Sequence, residues 1–215
     1  MDVLSFIRLS FNRRYVLRWI VAGLVLFIPV IDFFSLGYLW RTATLAMVGG
    51  MGLPTWERKK ELWKEGARLV GIVILYEALP SFLFSLGFLV SSPGNTILNV
   101  AGGALQVFSA VAFIGCSFLL PFAFCSFAER SHFPDAFELE HIWMLAKKVL
   151  LPYGVGYAAV GVCLYGASRL RAFPYIGVLL VSVVAFYVFL VSSYYFTDLY
   201  HRALFSEVGQ RTRRQ

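Results

Sequence analysis

The sequence predicts an all-α protein: a polytopic transmembrane helix bundle of about six spans, with both termini on the cytoplasmic side. Three observations predict it. The 215 residues are 59% hydrophobic and 14% charged, whereas soluble domains carry about 45–50% apolar and about 25% charged residues. Long apolar runs recur at 16–31, 33–50, 69–90, 97–127, 150–168 and 176–198. Sixteen of the 19 Lys and Arg fall in segments that six crossings place on one face, and only Arg169 and Arg171 on the other. Disorder is excluded by 21 Phe, 11 Tyr and 5 Trp.

The N-terminal segment 1–15 reads as amphipathic, with Arg8, Arg13 and Arg14 on it and Arg18 just beyond. No small-residue cleavage pattern follows the first apolar run, which is therefore expected to stay as a span. The first two runs are short and divided only by Pro29–Asp32. They form either a tight hairpin of two full spans or a re-entrant pair, and both return the chain to the side it came from.

A cytoplasmic segment at 51–68 and another at 128–149 follow the second and fourth runs, and each is expected to hold an interfacial amphipathic helix. With an offset of 80, Pro54 meets Pro134, Trp63 meets Trp143 and Arg68 meets Lys148. Each segment opens with Pro, carries acidic residues early and basic residues late, as the helix dipole favours, and then enters a span without an obvious break. Two identities in 18 positions fit an internal repeat or the shared look of any interfacial helix. The last two runs are joined by a short outer segment, and 201–215 reads as a basic cytoplasmic tail after a single bundle domain over 16–200.

The stretch from Phe27 to Trp56 and the following LWKEGARLVGIVILYEALP carry a recognisable set of motifs: Ile28-Pro29, Gly37-Tyr38-Leu39, Arg41, Leu53-Pro54 with Trp56, Glu65-Gly66 and Leu79-Pro80. This pattern resembles a prokaryotic membrane family known only as a domain of unknown function, number four thousand and thirteen. AERSHFPDAFELEHIWMLAKK resembles the second cytoplasmic segment of that family, and the likeness covers roughly 16–200. The acidic pair usual before the first interfacial helix is here Trp56-Glu57-Arg58. The resemblance implies a six-helix-type bundle of prokaryotic origin and no particular activity.

Charges inside spans are costly, and Asp32, Arg41 and Glu77 are the three that fall there. At about 1.5 Å per residue, Arg41 lies about 13 Å below the outer turn and Glu77 about 12 Å above the cytoplasmic face. Their depths match within about 5 Å in a core about 30 Å thick, so an Arg41–Glu77 ion pair is expected between the second and third spans. It would lock two helices in register, or else line a substrate or proton site with Tyr76; Arg41 reaching Asp32 or the headgroups is the remaining reading. Asp32, just after Pro29, is expected to cap the second helix, or to form an ion site at a broken helix.

Cys116, Cys125 and Cys163 sit in apolar runs and read as packing residues. His132, His141 and His201 read as solvated, and no HExxH, G-x-S-x-G or P-loop pattern occurs, so no metal, cofactor or catalytic residue is expected. Glycines concentrate at Gly154, Gly156, Gly161 and Gly166, which read as packing within the bundle, a homodimer face or a substrate path. The expected partner of the basic segments is anionic lipid at the cytoplasmic face, not nucleic acid. The expected function is a non-enzymatic structural, assembly or accessory component of the inner (cytoplasmic) membrane. The alternative is a small-solute or ion transporter or channel using Arg41 and Glu77.

Overall fold

The structure, a computed structural model, describes residues 3–50, 52–91 and 94–212, with side chains as far as Phe205. Arg213 and Arg214, on which part of the basic tail was read, lie outside the described residues. Among those described the chain is helical with no strands: α1 (Val3–Ser10), α2 (Arg13–Val25), α3 (Asp32–Met47), α4 (Lys59–Val90), α5 (Thr96–Arg130), α6 (Leu139–Lys148), α7 (Leu150–Ser168) and α8 (Gly177–Thr212). Short 3-10 turns at Phe133–Phe137 and Arg169–Ala172 lead into α6 and follow α7. Four stretches are long and apolar enough to cross a membrane: Lys59–Val90, Thr96–Arg130, Leu150–Ala172 and Gly177–Phe205. Helices α2 and α3 have 13 and 16 residues. That is short of the roughly 20 needed to cross, in keeping with the short pair expected from sequence.

The 51–68 segment enters its span without a break, as expected: α4 starts at Lys59 and runs without interruption to Val90. The charged residues ERKKELWKEGAR straddle its first turns; they change the solvent that the helix meets, not its backbone. The 128–149 segment does not enter its span unbroken, contrary to expectation: its helix, α6, ends at Val149 (φ −124°) before α7 begins. Residues 201–212 of the expected tail are not a separate segment but the last turns of α8.

The chain divides into two compact units, one of residues up to Val70 with Phe122 onward, the other of Gly71–Pro121. In the first, α8 packs against α2, α3 and α7. Its core joins Phe6, Trp19, Ala22, Tyr38, Leu53, Phe186, Leu190 and Tyr194, with Phe6 stacked on Tyr194 at 4.2 Å. Hydroxyls bind facing backbones here, as they do where no water can substitute: Ser35 donates to the Ala22 carbonyl at 2.7 Å and Ser182 to the Gly23 carbonyl. A Cβ on Gly23 would lie 2.7 Å from the Val183 Cα, so glycine is what lets α2 and α8 approach.

The second unit is an antiparallel hairpin of the α4 and α5 segments. Gly87 and Gly102 meet backbone to backbone: a Cβ on Gly102 would lie 2.6 Å from the Gly87 carbonyl oxygen. Ser109 donates to the Pro80 carbonyl at 2.7 Å, tying α5 to α4 where proline interrupts the helical ladder. Large apolar side chains such as Leu79, Phe82, Phe88, Val107 and Val111 are exposed on it, the surface a lipid-facing hairpin presents.

Candidate functional site

The motif residues from Ile28 to Gly66 assemble at one place, the junction of α2, α3, the 52–58 loop and the start of α4. It begins at the turn between α2 and α3. Pro29 sets its own φ there, and the Ile31 N–H donates to the Ile28 carbonyl at 3.1 Å. Val30 then sits at φ 72°, a left-handed position that a β-branched residue adopts only at a cost. The Trp63 indole N–H donates to the Val30 carbonyl at 3.2 Å, and the Trp63 ring meets Phe33 edge-on at 5.2 Å.

Asp32 opens α3 but does not cap it. The capping residue is Ile31, no side-chain bond closes the helix end, and the Asp32 Oδ1 is buried without a hydrogen-bond partner. The turn closes instead through backbone, with the Asp32 N–H donating to the Ile28 carbonyl at 2.9 Å. In the first turn of α3 the Asp32 charge still favours the helix dipole.

One turn on, α3 and α4 cross at near backbone contact. A Cβ on Gly37 would overlap the Leu62 carbonyl, and a Cβ on Gly66 would overlap the Phe33 carbonyl. The Gly of Gly37-Tyr38-Leu39 and the Gly of Glu65-Gly66 are thus the two halves of one helix crossing. Tyr38, fully buried, stacks on Trp56 at 4.9 Å and so ties the crossing to the loop.

Two arginines hold that loop. Arg18 on α2 donates through Nη1 to the Leu53 and Pro54 carbonyls at 3.2 and 3.3 Å. Arg41 on α3 donates through Nη1 to the Glu57 carbonyl and, at 3.5 Å, to the Thr55 carbonyl, and through Nη2 to the Arg58 carbonyl at 3.3 Å. The Glu61 carboxylate stands 3.7 Å from Arg41 Nη2. A guanidinium presents several donors in a rigid fork, which suits it to gather several carbonyls of one loop. Arg58 takes φ 53°, and its carbonyl also receives the Glu61 and Leu62 N–H groups that start α4.

The ion pair expected between Arg41 and Glu77 is therefore not what the guanidinium makes. The crossing at Gly37 and Gly66 sets the register and places Arg41 beside residues 55–61. Glu77 belongs to the Gly71–Pro121 unit, and its Oε2 is buried there without a hydrogen-bond partner. Tyr76, beside it in sequence, is buried.

The remaining sequence candidates are dispersed. Cys125 is buried, Cys116 half-buried and Cys163 exposed, all as free thiols. His132 is exposed as expected, but the His141 Nε2 is buried without a partner and the His201 Nε2 lies 3.0 Å from the Met47 sulfur. No cluster of three metal-ligating side chains occurs among the described residues. Of the α7 glycines only Gly156 meets a neighbour, the Tyr195 ring; Gly154, Gly161 and Gly166 face open space.

A family model described as Protein of unknown function (DUF4013) matches residues 20–194. The chain belongs to this family. Arg41 lies inside the DUF4013 match and Arg18 just before it. No curated protein and no solved structure matches the chain. The residues that carried the resemblance in the sequence are thus largely those of one structural junction. That junction fixes where α4 begins.

Proposed function

We propose that the chain is a non-enzymatic integral protein of the inner (cytoplasmic) membrane, a structural, assembly or accessory component with its cationic segments on the cytoplasmic side. The observation that supports this is the use of Arg41. Its donors go to carbonyls of its own loop, so the in-span arginine is part of the fold and not a group held ready for a solute. On this reading the hairpin of Gly71–Pro121 is the surface that meets other membrane components, with its exposed apolar side chains and a single carboxylate, Glu77. Association between membrane helices gains little from burial of apolar surface alone, so a buried polar group is a natural point of specific contact.

The unpartnered Oε2 of Glu77 supports a second reading, a small-solute or ion transporter or channel. One experiment separates the two. The chain is purified in mild detergent from its native membrane and reconstituted in parallel into vesicles. The accessory reading expects a stable membrane partner that is lost from Glu77→Leu while the chain keeps its melting temperature. Proton or cation flux through vesicles of the pure chain, abolished by Glu77→Gln, would overturn it in favour of transport.

A further inference from the structure

Helix α2 carries an exposed apolar stripe that its neighbours do not cover. Leu17, Val21 and Leu24 are 70%, 49% and 39% exposed and follow one another at helical spacing along one face. Beside the start of this stripe lies a shallow groove of about 390 Å³ lined by Leu17, Arg18, Val21, Trp56 and Lys59. Three of its five lining side chains are apolar and the other two are cations; none is acidic. Arg18 spends one nitrogen on the loop carbonyls, and Lys59 has no ion-pair partner among the described residues. Exposed Arg14 adds a third cation one helical turn before Leu17 and Arg18.

An apolar stripe on a membrane helix meets lipid chains in any case. What is particular here is the cluster of three cations at its N-terminal end, beside an indole of the kind that settles at the headgroup level. The cluster suits a ligand with a negative group at one end and a hydrocarbon chain at the other. Zwitterionic lipid fits less well, because its own ammonium would face Lys59 and the arginines.

We propose that this groove binds one anionic phospholipid of the surrounding membrane, the phosphate held by Lys59 and Arg18 with Arg14 adding charge, and an acyl chain laid along Leu17, Val21 and Leu24. The proposal rests on the membrane reading of the chain and not on its accessory role. Recovery of the chain in the aqueous phase without detergent would defeat the former and is a separate observation from lipid preference.

The test uses the full chain in mild detergent, with equal amounts of phosphatidylglycerol and phosphatidylcholine, and counts the lipid retained by native mass spectrometry. Phosphatidylglycerol should be retained preferentially by severalfold. Lys59→Gln should lower that preference by about fivefold, the worth of one cation near an anionic headgroup. Arg14→Gln with Lys59→Gln should lower it further, and Arg169→Gln with Arg171→Gln should leave it unchanged. Val21→Trp, at an exposed position, fills the groove without touching a charge and should displace the lipid from a chain that melts normally. Equal retention of the two lipids would overturn the proposal, as would equal loss from the Arg169 and Arg171 variant. Full competition by inorganic phosphate would overturn it too, by reducing the site to one for a free anion.

Discussion

Residues 53–70 and 133–150 begin alike and fold differently. Both open with Pro, Pro54 and Pro134, and carry Trp nine residues later, Trp63 and Trp143. In the first segment the proline lies in a loop gripped by Arg18 and Arg41, and the helix that follows is unbroken from Lys59 to Val90. In the second, Pro134 starts a 3-10 turn, α6 covers ten residues, and a break at Val149 precedes α7. The tryptophans differ in the same sense. Both are exposed, but Trp63 donates to the Val30 carbonyl, whereas Trp143 has the Lys147 ammonium 5.1 Å from its ring. Similar sequence gives an amphipathic helix in both places, and two later positions decide what becomes of it. Gly66 answers to Ala146, and Ile72 answers to Pro152.

The glycine position should show the largest contrast. A Cβ at Gly66 would collide with the Phe33 carbonyl and approach the Gly37 nitrogen to 2.8 Å, all backbone atoms that cannot turn aside. Gly66→Ala should therefore cost at least about 4 kcal/mol, the scale reserved for steric failure in a core, and abolish folded protein in detergent. The buried Ala146 has a Cβ already, and Ala146→Gly should cost only about 1 kcal/mol through helix propensity. Size-exclusion profiles and thermal melts of the two variants make the comparison; a well-folded Gly66→Ala chain would remove the backbone crossing.

The second contrast lies in the helix ladder. Pro152 lacks an N–H, and its ring would clash with the carbonyl four residues back, Lys148, if α6 ran on through it. The chain breaks at Val149 instead, and Pro152 falls in the first turn of α7, where N–H groups have no helical partner anyway. At the equivalent place in α4 stands Ile72, fully buried in mid-helix. Ile72→Pro should cost about 3 kcal/mol or more. Pro152→Ile should change stability by less than about 1 kcal/mol while restraining the angle between α6 and α7. Spin labels on α6 and α7 would read that as a narrower distance distribution, and an unchanged one would mean that proline is not the cause of the break.

How much of this was legible follows from the same residues. Apolar runs reveal which stretches meet lipid, and they locate α5, α7 and the start of α8 to within a few residues. They do not reveal whether charged first turns run on into the apolar stretch that follows: the pattern is the same at the start of α4 and in α6, and only α4 is unbroken. Pro152 was present to be read, since a proline four residues after Lys148 forbids one continuous helix. Gly37 and Gly66 were quoted as motif residues, but glycine packing was sought in α7, where the glycines are most numerous and most of them touch nothing. Density of small residues marks a helix that could pack closely; only the partner shows which one does. The loop clamp was invisible for a different reason. Its acceptors are main-chain carbonyls, and no side-chain pattern encodes them.

The third contrast separates the two ends of one ion pair. Arg41 is 17% exposed and Glu61 60% exposed across their 3.7 Å contact. Arg41→Met leaves the Glu57 carbonyl without its donor and takes one of three donors from the Arg58 carbonyl, which should cost about 2–3 kcal/mol and make the 53–58 loop sensitive to protease. Arg41→Lys should recover only part of this, because one ammonium cannot reproduce the fork. Glu61→Gln removes a solvated charge and should cost less than about 1 kcal/mol. Equal effects from Arg41→Met and Glu61→Gln would mean that the carboxylate, not the carbonyls, is the partner that matters.

The smallest effect concerns backbone sign. Arg58 holds φ 53° at the start of α4, whereas its counterpart Glu138 holds φ −73° before α6. A side chain at the left-handed position costs roughly 1–2 kcal/mol relative to glycine. Arg58 recovers a little of this through its exposed contact with Glu61 at 3.7 Å. Its carbonyl, not its side chain, is what Arg41 holds, so Arg58→Gly keeps the clamp and should raise stability by about 0.5–1 kcal/mol. Glu138→Gly relieves no strain and gives up the 3.0 Å bond to Arg130, so it should lower stability by about 1 kcal/mol. Opposite shifts in melting temperature from the same substitution would show that the two segments differ at the residue before the helix, before any side chain packs. A fall in both would mean that the Arg58 side chain is part of the grip on the loop, and that the clamp has three arginines, not two.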